Sequence, residues 1–454
     1  MKKTILLAML LSTLFTHGQW SVDSLPDAKF QLEATAHGDH IYMVGGRGGI
    51  TLSTVFNTVE VYNTATGQWE PNLPPMPLAK SFVAAVHGDS ALYVFGGLSS
   101  LGSFNWVGTN TVMIYKNGAW DIDTIADSVF SACGVKVGSK ILFAGGIKRT
   151  LLGTPDMELS NKVYIYDEFT GQWSVDTLSQ PRNGLLPAVS GDIAIFPGGE
   201  NAYNSVTNIV DIYNASTNSW TTDTLGDPRV WACAVQKNGV FYIAGGNKAG
   251  LNNSSAFVDK YDGNNFTQMP YQLSDPRGYI RACTIGDLII FAGGADADLQ
   301  ITDFTNSSNA IDIYNVTTNT WSINSLDHPI VLHTAISNQG KAMIIGGLEW
   351  DTSPSGFHVA RREIYIWSSP ADVEEFLSRN AIRAYPNPAV EQIVFEWEQM
   401  EEGDLLEIYS EVGQLVQTEE ASGAETTINV RGLASGVYIL KVAGTERSIR
   451  FIKK

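Results

Sequence analysis

Five basic side chains recur at one fixed offset along this chain. Lys29, Lys80, Arg182, Arg229 and Arg277 each stand 17 residues before the second glycine of a Gly-Gly pair, and Val129 and Ile330 fill the same offset elsewhere. Three consecutive cases read Gln-Pro-Arg, Asp-Pro-Arg and Asp-Pro-Arg. Guanidinium groups converging on one axis suit a carboxylate, sulfate or phosphate, because the planar fork donates two parallel charge-assisted bonds. The competing role, which weighs more, is structural: the arginines would pair with acids including Asp227 and Asp275 and staple the ring together. Other chemistry is sparse. His-Glu-x-x-His, Gly-x-Ser-x-Gly and P-loop patterns are missing from the sequence, so no catalytic residue and no cofactor is assigned. Asp296 and Asp298 share a loop and could hold calcium, but a solvated loop is the favoured reading and no metal site is assigned.

The elements that position these residues are repeats. Gly-Gly recurs seven times after a hydrophobic strand, with first glycines at 45, 96, 145, 198, 245, 293 and 346. A strand ending in tyrosine follows each (Tyr62, Tyr115, Tyr166, Tyr213, Tyr261, Tyr314 and Tyr365). Trp69, Trp120, Trp173, Trp220 and Trp321 come five or seven residues later, and Phe266 stands in the fifth unit. Self-similarity at about 50 residues with this content indicates propeller blades. The Gly-Gly, Tyr, Trp order resembles the kelch repeat family over roughly residues 20 to 368. The fold expected is all-β: a seven-bladed kelch β-propeller. The seventh unit lacks its tryptophan, and Trp20-Ser-Val-Asp-Ser-Leu25 matches the outer-strand segment Trp173 to Leu178. The N-terminal strand is therefore expected to close the ring, removing a sheet edge.

Counting twelve residues back from each second glycine gives Ala34, Ala85, Gly134, Pro187, Ala234, Ala282 and Ala335, all small, as inner strands crowding one axis require. The resemblance implies that the cation positions face the mouth of the central channel. Loops after each Gly-Gly should open on the same face. They carry Arg47, Trp106, Lys148, Arg149, Glu200, Tyr203, Asn247, Glu349 and Trp350, each by itself an ordinary loop residue. Variable loops on a rigid scaffold are where binding resides.

Composition narrows the partners. The 454 residues carry 47 acidic and 29 basic side chains, a net charge of −18, which argues against nucleic acid. Residues 1–18 read as a signal peptide: Lys2 and Lys3, an apolar run from Ile5 to Phe15, then Thr16-His17-Gly18 at a cleavage site. That run is too short to span a bilayer, and no other run approaches 18 apolar residues. Cys133, Cys233 and Cys283 fit no zinc spacing and read as buried free thiols.

After a linker at 369–382, with one helical turn expected at 373–377, short alternating strands at 383–454 imply a small β-sandwich. Its Tyr385-Pro-Asn-Pro start, Gly413-Gln-Leu-Val segment, Leu433-x-x-Gly-x-Tyr segment and lysine end resemble the type A sorting domain of the type IX secretion system. That resemblance implies a Bacteroidetes-type exporter, delivery across the outer membrane, and release or surface attachment. The function expected is a non-catalytic binding module for a glycan or a protein. The alternative is a carbohydrate-active enzyme, because some exported kelch propellers act as sialic acid epimerases.

Overall fold

The computed structural model describes residues 20–49, 52–100, 106–148, 158–250, 253–297, 304, 306–350, 358–368, 383–385, 389–397, 400–410, 414–443 and 448–454. The signal segment, the 369–382 linker with its expected helical turn, Arg149 and Asp298 lie outside them. The described residues fall into two compact units, one up to residue 368 and one after it.

The first unit is a propeller of seven antiparallel sheets, six of four strands and the second with a short fifth strand, Leu98–Ser100. The first blade runs outward from Glu33–His37 through His40–Val44 and Val59–Asn63 to Gln68–Glu70. Five more repeat that order, and the seventh uses Thr334–Asn338, Lys341–Ile345 and Glu363–Ser368. Its outer strand is the N-terminal Trp20–Ser24, paired antiparallel with Glu363–Ser368 along five residues. The expected closure is what the fold uses.

The register corrects one detail. In six blades the residue four before the first glycine lies opposite the repeat tyrosine, as with Ile41 and Tyr62 or Ala194 and Tyr213. In the seventh blade Ala342 lies opposite Trp367, not Tyr365. Trp367 thus fills the tyrosine slot, and Trp20 sits across from it at 4.8 Å between ring centroids. Aromatic pairs at these slots pack edge-on or tilted in six blades and stacked in the fifth, where Tyr261 meets Phe266, and such plates bury a large area each. The Asp in the Trp-x-x-Asp outer strands adds a link between blades: Trp69 Nε1 donates to Asp23 at 3.1 Å, and Trp220 Nε1 to Asp176 at 2.9 Å.

The Gly-Gly pair has a definite cause. The N–H of each second glycine donates to the backbone carbonyl of residue 80, 129, 182, 229, 277, 330 or 29 in the next blade. A Cβ on the first glycine would meet that same oxygen at 2.3 to 2.8 Å in all seven blades. Both glycines also adopt positive φ, which L side chains resist. The cation offset is therefore first a backbone position: it joins neighbouring blades whatever side chain it carries.

The second unit is a sandwich. Arg383–Tyr385, Gln392–Glu396 and Glu425–Asn429 form one sheet, and Leu415–Ser422, Glu402–Ser410, Gly436–Val442 and Ser448–Lys453 the other. Ile393, Phe395, Leu406, Ile428, Leu440 and Phe451 fill the space between them.

Candidate functional site

All five cations of the repeat are fully buried, and this corrects their assignment as ligand-binding residues. Arg182 pairs with Asp211, Arg229 with Asp227 and Asp259, Arg277 with Asp275 and Asp312, and Lys29 with Glu60. Several spare donors go to backbone, Arg182 Nη1 to Gly198 O at 2.6 Å and Arg277 Nε to Gly293 O at 2.8 Å, while Arg182 Nε and Arg229 Nε are buried without a partner. A buried charge is tolerable only when paired and hydrogen-bonded, and these are spent on that pairing. They staple, as the favoured alternative held, though the deepest partners are third-strand acids rather than Asp227 and Asp275 alone. Those acids lie two residues before the tyrosine-slot residue of the same blade. The correlation is nearly complete: where the cation slot holds Val129 or Ile330, the acid slot holds Tyr164 or Tyr365.

Lys80 is the exception. Its acid slot holds Met113, and Lys80 Nζ donates only to Gly96 O at 2.7 Å and to Thr111. Desolvation without a carboxylate pushes its pKa down to about 7. A lysine depressed from about 10.5 costs stability where it is charged in the unfolded chain. The penalty grows as pH falls from about 10.5 and is complete below about 7. Replacing Lys80 with Met should therefore raise the melting temperature much more at pH 6 than at pH 10. Parallel melting-temperature profiles for the two proteins would contradict this account.

Two residues beyond each cation lies a ring that the repeat analysis missed: Gln31, Phe82, Ser131, Gly184, Trp231, Tyr279 and Leu332. All adopt left-handed φ between 50° and 69°, although only one is glycine. Bulky residues reach this region only when surroundings enforce it, at roughly 1–3 kcal/mol each. Here hydrogen bonds between blades do so: Gln31 N donates to Leu332 O, Phe82 N to Gln31 O, Ser131 N to Phe82 O and Trp231 N to Gly184 O, at 2.9 to 3.2 Å. The signal available in the sequence was an offset that holds large aromatics beside small residues, with no helix or strand period to explain it.

This ring rims a central cavity of about 350 Å³ between the inner strands. The small residues Ala85, Gly134, Pro187, Ala234, Ala282 and Ala335 line it as expected. Cys133, Cys233 and Cys283 line it too, as free, buried thiols pushed up to about 12 by desolvation. Two charged groups enter it: Glu33 from the first blade and Arg281 from the sixth, with Nη2 and Oε2 3.9 Å apart. The same strand position holds Ala84, Cys133, Leu186, Cys233 and Thr334 in the other blades. Desolvation raises the Glu33 carboxyl above its ordinary range, only partly offset by Arg281.

The post-glycine loops do open on the rim face. Their first residues bridge to the residue after each cation, as in Asn183 with Glu200 and Phe30 with Arg47. The structure brings Arg47 and Trp106 together: the guanidinium lies 4.4 Å from the Trp106 ring and 5.1 Å from Phe30. Arg47 donates from Nε to Leu52 O, has no carboxylate partner among the described residues, and is pushed down to about 10 by burial. Trp350 and Phe82 are half-buried beside an apolar cluster of Trp231, Tyr279, Phe304 and Leu332. Glu200 turns inward, accepts from Asn183 Nδ2 at 2.9 Å and is only 7% exposed, which removes it from the ligand-binding candidates. Tyr203 is half-buried on the neighbouring hairpin turn. Among the described residues no group of three His, Cys, Asp or Glu side chains is placed to hold a metal.

Comparison with known proteins agrees with this architecture. Residues 30–77 match the kelch motif, and residues 383–454 match a secretion system C-terminal sorting domain. Kelch-like protein terF of Aspergillus terreus is 28% identical over 322 residues, 68% of this chain and 59% of that protein. Kelch-like protein 25 of Xenopus tropicalis is 25% identical over 192 residues, 40% of this chain and 31% of that protein. The chain thus spans less than two thirds of the length of either. The solved structure of YjhT superposes with a TM-score of 0.50 at 14% identity, covering 76% of this chain and 97% of that one, a likeness of fold. The tail marks the protein for type IX export, to the cell surface or beyond it. The chain is a kelch-repeat β-propeller protein with a type IX secretion sorting domain at its C-terminus.

Proposed function

We propose that the exported propeller is a binding module for a glycan or a protein, and that its ligand docks on the loop face around the channel rim. The observation that carries this reading is the half-exposed aromatic surface of Phe82, Trp106 and Trp350, with the Arg47 guanidinium over Trp106 and without a carboxylate partner among the described residues. Aromatic faces stack on sugar rings and on apolar side chains, and an arginine already sandwiched by rings keeps its outer N–H groups for a polar ligand group. A glycan array probed with the exported protein tests it. Trp106→Ala and Arg47→Met should each lose the hits that the parent protein binds. Hits that survive both changes would place the ligand elsewhere.

A second reading is a carbohydrate-active enzyme. It is favoured by one observation, the raised Glu33 carboxyl beside an arginine inside a cavity, since perturbed acids cluster at reactive sites. Following any bound sugar by NMR for mutarotation or epimerisation separates the two readings.

Export is proposed to proceed through removal of residues 1–18 and recognition of the tail. Deleting residues 383–454 should leave a folded propeller in the periplasm, measured by fractionation and protease accessibility of whole cells. Normal surface delivery of that truncated protein would refute the role given to the tail.

A further inference from the structure

The central cavity contains polar groups that the fold leaves unspent. Arg281 commits Nε to His333 O at 3.2 Å, and its Nη2 stops 3.9 Å from Glu33, beyond hydrogen-bond reach. Neither side chain is sealed: Arg281 is 25% exposed and Glu33 29%, both toward the cavity that they line. Gln31 Oε1, at the rim, is buried with no hydrogen-bond partner. Ser131 and Ser337 add hydroxyls, Ser337 Oγ already accepting from Thr284 N, and the rest of the lining is apolar or thiol, including Leu185, Leu186, Val235 and Ile336. His333, directly behind Arg281, adds no charge, because burial pushes it down to about 3.

This is one donor set and two acceptor sets facing one space, with formal charges that cancel. A lone anion drawn to Arg281 meets Glu33 beside it, and a lone cation drawn to Glu33 meets Arg281. At such separations each like-charge contact cancels most of the opposite-charge gain. A ligand carrying both charges on one carbon meets neither penalty.

We propose that the cavity binds a free α-amino acid, with its carboxylate on the Arg281 Nη groups and its ammonium on Glu33 and Gln31 Oε1. The side chain then lies against Leu185, Leu186, Val235 and Ile336, which selects an apolar amino acid. This site meets the aromatic loop face at Phe82 on the rim, but its charged groups sit on the inner strands Glu33–His37 and Arg281–Ile285, so it stands whether or not a glycan docks on the loops.

The test uses the full exported chain and the twenty free L-amino acids, screened by thermal shift and followed by calorimetric titration. An apolar amino acid should raise the melting temperature. Its N-acetyl derivative, its methyl ester and the matching α-hydroxy acid should each bind about 10- to 100-fold more weakly, as expected for loss of one charge-assisted bond. Arg281→Gln and Glu33→Gln should weaken the parent amino acid by a similar factor. The derivatives are compared on the unaltered protein, so the result does not depend on either variant folding. No response to any amino acid overturns the proposal. So does equal binding of the ester, the acetylated form or the hydroxy acid, since that removes the recognition of one charge.

Discussion

Deleting residues 19–25 should lower the melting temperature of the exported protein by about 10 °C or more. The segment supplies the whole outer strand of the seventh blade, with Trp20 opposite Trp367 and Leu25 fully buried. Leu25 packs with Leu32, Ile41, Met343 and Ile364, so it ties the seventh blade to the first. Losing one buried leucine costs about 2–5 kcal/mol by cavity formation. The five-residue ladder and the Trp20 ring add to that, and a large domain melts about 2–4 °C lower for each kcal/mol lost. Arg362 also donates to Leu25 O at 2.9 Å, and it would lose that partner. A circular dichroism melt of the truncated and parent proteins decides the matter. Equal melting temperatures would mean that the ring holds without its clasp. The shorter deletion of residues 19–21, which spares Leu25, should fall between the two.

How much of this was legible beforehand depends on whether a signal repeats. Gly-Gly could be read because seven copies obey one steric rule: a carbonyl of the next blade occupies the space that a Cβ would need. The closing strand could be read because Trp20 to Leu25 copies a segment found elsewhere. The tyrosine of the seventh unit was misplaced by two residues, because Tyr365 and Trp367 are both aromatic and only the pairing of Ala342 decides between them. The cation offset and its favoured role as a staple were visible but the deepest partners were not, since those acids lie 29 to 35 residues downstream beyond loops of varying length. Counting back from the tyrosines would have found Glu60, Asp211, Asp259 and Asp312 at one position. Glu33 and Arg281 were hidden for the opposite reason. Each occurs once, and only closure of the ring brings the first and sixth blades within reach of each other, with the seventh between them.

The buried pairs make the last prediction. Arg229 is fully buried and Asp259 is 1% exposed, so neither can be rescued by water if the other is removed. Arg229→Met should cost about 3–5 kcal/mol, the usual penalty for stranding one half of a buried ion pair. The fold itself indicates a remedy. The third and seventh blades fill the same two slots with Val129 and Tyr164, and with Ile330 and Tyr365, and they keep the backbone link from the second glycine. The double variant Arg229→Ile with Asp259→Tyr should therefore recover more than half of the stability that the single change loses. Chemical denaturation of the single and double variants measures both. Binding at the loop face should stay the same in each, because the guanidinium presents no surface there. If Arg229→Met instead keeps its stability and loses an anionic ligand, the arginine serves a site and not a staple. Recovery in the double variant, with binding intact, would show that the conserved element of the blade is the carbonyl at residue 229, and that the charges above it are one of two interchangeable ways to fill the space.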